Sequence, residues 1–196
     1  VPISYYKQFD TGQTVVASRT QATSADDYLA QAAAMLSTGI PTDSINKQQI
    51  REIVQLSNSA IAQSPNNDLA YAYRARAKVW LGDFQGAIND ANKALELNPA
   101  NVNAYFVLAS TKSQSGDHQG AIAYYSKVIA ISPQFLGAYG NRGNAKNELG
   151  DYQGAIFDYS KVIEINPQSA LAYNNLGNAK GKLKDYQGAI ADYNKA

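Results

Sequence analysis

Gly82-Asp83-Phe84-Gln85-Gly86-Ala87-Ile88 returns, with small changes, from Gly116, Gly150 and Lys184, so one phrase is repeated every 34 residues. Pro65, Pro99, Pro133 and Pro167 keep the same interval and carry it one unit further toward the N-terminus. A fixed period of about 20–50 residues marks a stacked repeat, because each unit buries its apolar face only against the next. Function is therefore to be sought on the surface that stacking creates.

Working outward from the phrase, regular units begin at Asp68, Val102, Leu136 and Ala170. In each, a first helix carries small or aromatic residues at helical spacing, as in Ala70, Tyr71 and Ala75, or Ala172, Tyr173, Leu176 and Gly177. Gly-Asp then breaks the helix. A second helix runs through Ala87, Ile88, Ala91, Ala94 and Leu95 to a stop at Pro99. Ala87, Ala121, Ala155 and Ala189 share one register and are predicted to form one point of contact. Helix hairpins with short loops stack antiparallel. The fold class is all-α, with about ten helices from two in each of five units.

The chain ahead of Asp68 is less regular. Residues 1–23 mix Tyr5, Tyr6, Phe9, Val15 and Val16 with polar residues and read as an extended or flexible arm. Ser24-Ala25-Asp26-Asp27 is a capping box for a helix reaching about Ser37. Thr42-Asp43-Ser44 offers a cap for a second helix carrying Ile50, Ile53, Val54, Ala60 and Ile61. Residues 24–67 thus read as a degenerate terminal repeat with a lengthened second helix. Four repeats follow, at 68–101, 102–135, 136–169 and 170–196, the last truncated.

Composition narrows the function classes. The 196 residues carry 17 Lys and Arg against 16 Asp and Glu, and a net charge of +1 gives no electrostatic case for nucleic acid. Without cysteine there are no disulfides or thiolate sites, and the redox compartment stays undetermined. The apolar runs fall well below the roughly 20 residues of a membrane span, so the chain reads as soluble, without membrane insertion. It starts at Val1 without a methionine, so localisation is left open.

The 34-residue period, paired helices, Tyr173-x2-Leu176-Gly177, Ala189-x3-Tyr193 and a closing proline resemble the tetratricopeptide repeat family. The resemblance covers Asp68 to Ala196 clearly and Ser24 to Pro65 loosely. It implies a right-handed superhelical solenoid. The wording Asp-Tyr-Gln-Gly-Ala-Ile is similar to that of bacterial members. Two departures stand out: Lys78, Lys112, Lys146 and Lys180 replace the second aromatic of the first helix, and Arg74 and Arg142 replace its leucine. Both side chains can lay their stems on apolar surface. Arg74 comes with Asp90 and Arg142 with Asp158, each sixteen residues on, whereas Leu108 comes with Tyr124. That swap predicts structural ion pairs within a repeat, coupled by no more than about 1 kcal/mol. Leu176 with Asp192 breaks the pattern.

In this family the first helices line a concave groove. The resemblance places Tyr73, Arg76 and Trp80, then Phe106, Val107 and Ser110, on an aromatic and apolar first half. It places Asn141, Asn144 and Glu148, then Asn174, Asn175, Asn178 and Lys182, on a second half rich in asparagine. An amide offers a donor and an acceptor together, matching an extended peptide backbone whatever its side chains. The alternative is that these asparagines are tolerated exposed polar residues. The carboxylate clamp of heat-shock co-chaperones is not matched, since Ala72 stands where its first lysine would be.

No catalytic constellation, metal site or cofactor is expected, and the chain is read as no enzyme. The sole histidine, His118, takes the slot of Phe84, Tyr152 and Tyr186, as a packing substitution. The glycines lack the Gly-Lys-Ser/Thr of a phosphate cradle, and Asp83, Asp117, Asp151 and Asp185 read as helix caps rather than metal ligands. Three functions compete: a module holding a peptide or partner segment in the groove, a self-assembling scaffold, and a regulatory region of a larger protein. The last helix falls short of its register, which predicts partly uncovered Ala189, Ile190 and Tyr193. Self-association is expected through that C-terminal edge or through the Tyr5-Tyr6 arm.

Overall fold

A computed structural model describes residues 24–37 and 47–196. The arm at 1–23 and the cap at Thr42-Asp43-Ser44 lie outside the described residues. Among those described there are ten helices and no strand: α1 (Ala25–Ser37), α2 (Lys47–Gln63), α3 (Asp68–Leu81), α4 (Phe84–Leu97), α5 (Val102–Gln114), α6 (His118–Ile131), α7 (Leu136–Glu148), α8 (Tyr152–Ile165), α9 (Ala170–Lys182) and α10 (Tyr186–Tyr193). Four of them start at the expected unit boundaries. Helix α2 has 17 residues against 14 in α4, which is the lengthening expected of the first pair.

The helix breaks come from local chemistry. Gly82, Gly116 and Gly150 sit at φ near +80°, where glycine alone escapes the Cβ penalty. At the first of these turns the Gly82 amide donates to the Val79 carbonyl at 3.1 Å and the Asp83 amide to Lys78 at 2.9 Å, satisfying two carbonyls that α3 leaves open. The aspartate that follows caps the next helix: Asp83, Asp117, Asp151 and Asp185 each accept at 2.9 Å from the amide three residues on. In the last repeat Lys184 takes the left-handed position, at φ 66°. The expected capping box is present too, with Ser24 and Asp27 exchanging hydrogen bonds of 3.1 Å.

The chain divides after Thr111 into two compact units. In the first, α1 packs on α2 and α3, α2 on α3, and α3 on α4, around Ala32, Leu36, Ile50, Ile53 and Ala77. In the second, α6 to α10 each pack on the next, around Tyr139, Ala155, Tyr159, Val162, Leu176 and their neighbours. Burial of a side chain the size of Val162 stabilises by about 1.5–3 kcal/mol. Alanine at the shared register lets helices approach: Ala87, Ala121 and Ala155 are fully buried. Ala189 is 5% exposed, so the expectation that it is uncovered fails; α9 covers it. Ile190 and Tyr193, at 60% and 42%, are uncovered as expected.

Both predicted ion pairs form. Arg142 donates from Nε at 2.9 Å and from its terminal nitrogen at 2.6 Å to the two oxygens of Asp158, and Arg74 grips Asp90 at 2.8 and 2.6 Å. The hydrogen bond to Asp90 raises the pKa of Arg74, although desolvation opposes it. The lysines do more than lay their stems on apolar surface. Lys78 reaches Asp90 at 2.8 Å, Lys146 reaches Asp158 at 2.9 Å and Lys180 reaches Asp192 at 2.6 Å. Asp192 beside Leu176 therefore follows a rule after all: the lysine is its constant partner and the arginine an additional one. Where Tyr124 replaces the aspartate, Lys112 turns to the cap residue Asp117 at 2.9 Å. That lysine and the Gly120 amide hold the Asp117 carboxyl below the usual carboxylate range.

Candidate functional site

The two halves of the expected groove fall in different units. In the first unit, Arg76 of α3 is 6% exposed. It lies 4.8 Å from the Trp80 ring centre and donates to the Leu36 carbonyl at 3.2 Å. That carbonyl belongs to the last turn of α1, which has no basic residue of its own, so Arg76 supplies a cation at the negative end of the helix. Desolvation pulls the guanidinium pKa well below its ordinary value, opposed in part by Tyr73. Burial raises the Tyr73 phenol, with Arg76 working against it. Tyr73 and Trp80 pack against the cluster that holds Leu36 and Ile53. Phe106, Val107 and Ser110 on α5 are all buried. Tyr73, Arg76 and Trp80 are thus drawn into the docking of α1 and α2 and do not stand as an open aromatic surface.

In the second unit the asparagines divide into two kinds. Asn141, Asn144 and Asn175 are 4%, 9% and 3% exposed, against the expectation of solvated amides, while Asn174 and Asn178 are exposed. For Asn144 and Asn175 the reason is a pairing of helices within and between repeats. The Tyr159 hydroxyl of α8 donates to Asn144 Oδ1 at 2.9 Å, and Asn175 Nδ2 of α9 donates to the same oxygen at 3.3 Å. One repeat later the Tyr193 hydroxyl donates to Asn178 Oδ1 at 2.8 Å. A tyrosine on the second helix thus fixes the amide on the first. This pairing was missed in the sequence. The signal was there, since Tyr159 follows Asn144 and Tyr193 follows Asn178 by fifteen residues, the same kind of spacing that revealed the arginine pairs. Close approach is required as well, for a Cβ on Gly143 would stand 2.7 Å from the Tyr159 ring.

With its oxygen occupied by Tyr193, Asn178 is held with Nδ2 available, and this nitrogen has no hydrogen-bond partner among the described residues. It borders a cavity of about 450 Å³ whose lining also includes Glu148, Tyr152, Tyr159, Asn175 and Lys182. The walls are mainly polar, built from the C-terminal parts of α7 and α9 and one face of α8. Such a surface can satisfy backbone amides and carbonyls of a bound chain, whereas it offers little apolar area to a small hydrophobic ligand. No cluster of three or more His, Cys, Asp or Glu able to hold a metal occurs among the described residues. His118 is partly exposed, and its Nδ1 is buried without a hydrogen-bond partner. No described helix is long and apolar enough to cross a membrane.

Comparison with known proteins bears on the repeats directly. Residues 73–134 match a sequence family described as tetratricopeptide repeat, and residues 143–184 match one described as TPR repeat, together more than half of the chain. No curated protein sequence matches. Among solved structures, a crystal structure of MamA is 23% identical, with 80% of this chain and 94% of that one aligned at a TM-score of 0.68. MamA from Desulfovibrio magneticus RS-1, residues 41 to the end, is 19% identical, with 87% and 92% aligned at 0.69. YrrB, described as a TPR protein with an unusual peptide-binding site, is 17% identical, with 87% and 84% aligned at 0.63. At these identities the likeness is one of fold.

Proposed function

Because the chain belongs to the tetratricopeptide repeat family, we propose that it is a protein–protein interaction module that holds an extended peptide segment against α7 and α9. The observation that carries this reading is the tyrosine-fixed amide of Asn178 at the edge of a polar cavity. An exposed asparagine normally loses side-chain entropy when it binds, and a hydroxyl that already holds its oxygen lowers that cost before any ligand arrives. Asn174, exposed on the same helix, extends the polar surface. The buried amides Asn144 and Asn175, joined to each other and to Tyr159, serve as the support of this surface. YrrB is described as having a peptide-binding site, which suits the same class of role. Nothing in the proposal requires catalysis or a cofactor.

The test is capture of partners from extract on the immobilised protein, comparing wild type with Asn178→Ala and Asn174→Ala. Asn174→Ala should shift unfolding by less than about 0.5 kcal/mol and Asn178→Ala, which loses the hydrogen bond from Tyr193, by about 0.5–1.5 kcal/mol, while capture falls in both. Equal capture by all three proteins would rule out this face.

A scaffold that associates with its own copies is the second reading. It is favoured by α10, where Tyr186, Ile190 and Tyr193 are 63%, 60% and 42% exposed, although Tyr159, in the register of Tyr193, is 1% exposed. Sedimentation of the purified chain over a range of concentrations separates the two readings.

A further inference from the structure

The lining of the cavity carries two charges of opposite sign. Glu148 ends α7 and Lys182 ends α9, one repeat period apart, and both are exposed. Neither takes part in an ion pair among the described residues, although Lys146 and Lys180, two residues earlier on the same helices, are committed to Asp158 and Asp192. The same register holds Trp80 and Gln114 in the earlier repeats, so the charges are not a requirement of the fold. Lys182 suits the negative end of its helix. Glu148 does not, since a carboxylate in a last turn faces the wrong end of the helix dipole. A residue set against its local preference calls for a reason elsewhere.

We propose that this cavity selects peptides bearing one basic and one acidic side chain two or three residues apart, the cation meeting Glu148 and the carboxylate meeting Lys182. The inference rests on the peptide-binding reading above and adds the chemistry of the ligand. An extended chain rises about 3.3 Å per residue, so side chains two or three residues apart are carried roughly 7–10 Å apart, a separation of the order that an open cavity of about 450 Å³ accepts. On the same lining, Asn178 Nδ2 donates to a peptide carbonyl. The Tyr152 ring, which also lines the cavity, gives the stem of the basic residue an apolar face. Like-charged peptides leave one of the two side chains facing its own sign, which is how the site discriminates against them.

The experiment measures fluorescence anisotropy of labelled, end-blocked peptides containing Lys-Ala-Glu or Lys-Ala-Ala-Glu, beside the corresponding Lys/Lys and Glu/Glu peptides. Wild type is expected to bind a mixed peptide about tenfold more tightly than either like-charged one. Glu148→Lys should move the preference to Glu/Glu and Lys182→Glu to Lys/Lys, with circular dichroism unchanged. An unchanged ranking in both variants overturns the charge selection. If Asn178→Ala then weakens all the peptides equally, the peptide-binding reading survives that failure. If no peptide binds any of the proteins, both readings fall.

Discussion

The carboxylate of Asp158 shows how far one residue can be committed. It is fully buried, gripped by Nε and one terminal nitrogen of Arg142, and approached by Lys146, while the other terminal nitrogen of Arg142 donates to Ser126 at 3.0 Å on the preceding helix. Removing the anion leaves two cations facing each other with little water. Asp158→Ala should therefore cost about 3–5 kcal/mol in denaturant unfolding, well above the figure of about 1 kcal/mol that suits an exposed pair. Arg142→Leu should cost less, because Lys146 remains. Combining Arg142→Leu with Asp158→Tyr recreates the Leu108 and Tyr124 pair, and a double-mutant cycle should recover part of the loss; strict additivity would mean that the two sites are independent. The arginine pairing was legible because it varies between repeats. The lysine was not, since Lys78, Lys112, Lys146 and Lys180 never change, even where the aspartate does. Asparagine burial was illegible for another reason: Asn144 is 9% exposed and Asn178 is exposed in the same register, so what decides is the neighbouring helix and not the repeat wording.

From Asp68 onward the helix starts were read almost to the residue, because the boundaries there are set by glycine and aspartate at fixed places. The exception is instructive. Lys184 occupies the left-handed position held by Gly82, Gly116 and Gly150, at a steric cost of about 1–2 kcal/mol for a residue with a Cβ. Lys184→Gly should raise stability by about 1 kcal/mol, after allowance for the greater freedom of glycine in the unfolded chain. Thermal unfolding of the single variant decides it, and an unchanged midpoint would mean that the turn relaxes around the lysine. Helix α7 has Phe135 at its N-cap, without a side-chain cap bond. The phenyl ring is 4% exposed, so the position contributes apolar burial in place of capping.

For the molecule as a whole, the 34-residue period was enough to predict an all-helical repeat chain, because each unit repeats the same contacts. The period also marked how the outer units depart from the rest; what it could not reveal is that the first of them draws side chains of α3 into its packing. At the start, α1 and α2 absorb Tyr73, Arg76 and Trp80 into their own packing. At the end, the exposed Ile190 and Tyr193 leave an apolar face on α10. Ile190→Lys should lower the apparent mass at high concentration in sedimentation while leaving helicity intact; identical profiles would show that this face takes no part in association. The hydrogen bond from Tyr193 to Asn178, like that from Tyr159 to Asn144, joins two side chains of a single repeat. Duplication of such a unit therefore copies an amide together with the hydroxyl that orients it, and whether that amide faces solvent or a neighbour is left to the helix beside it.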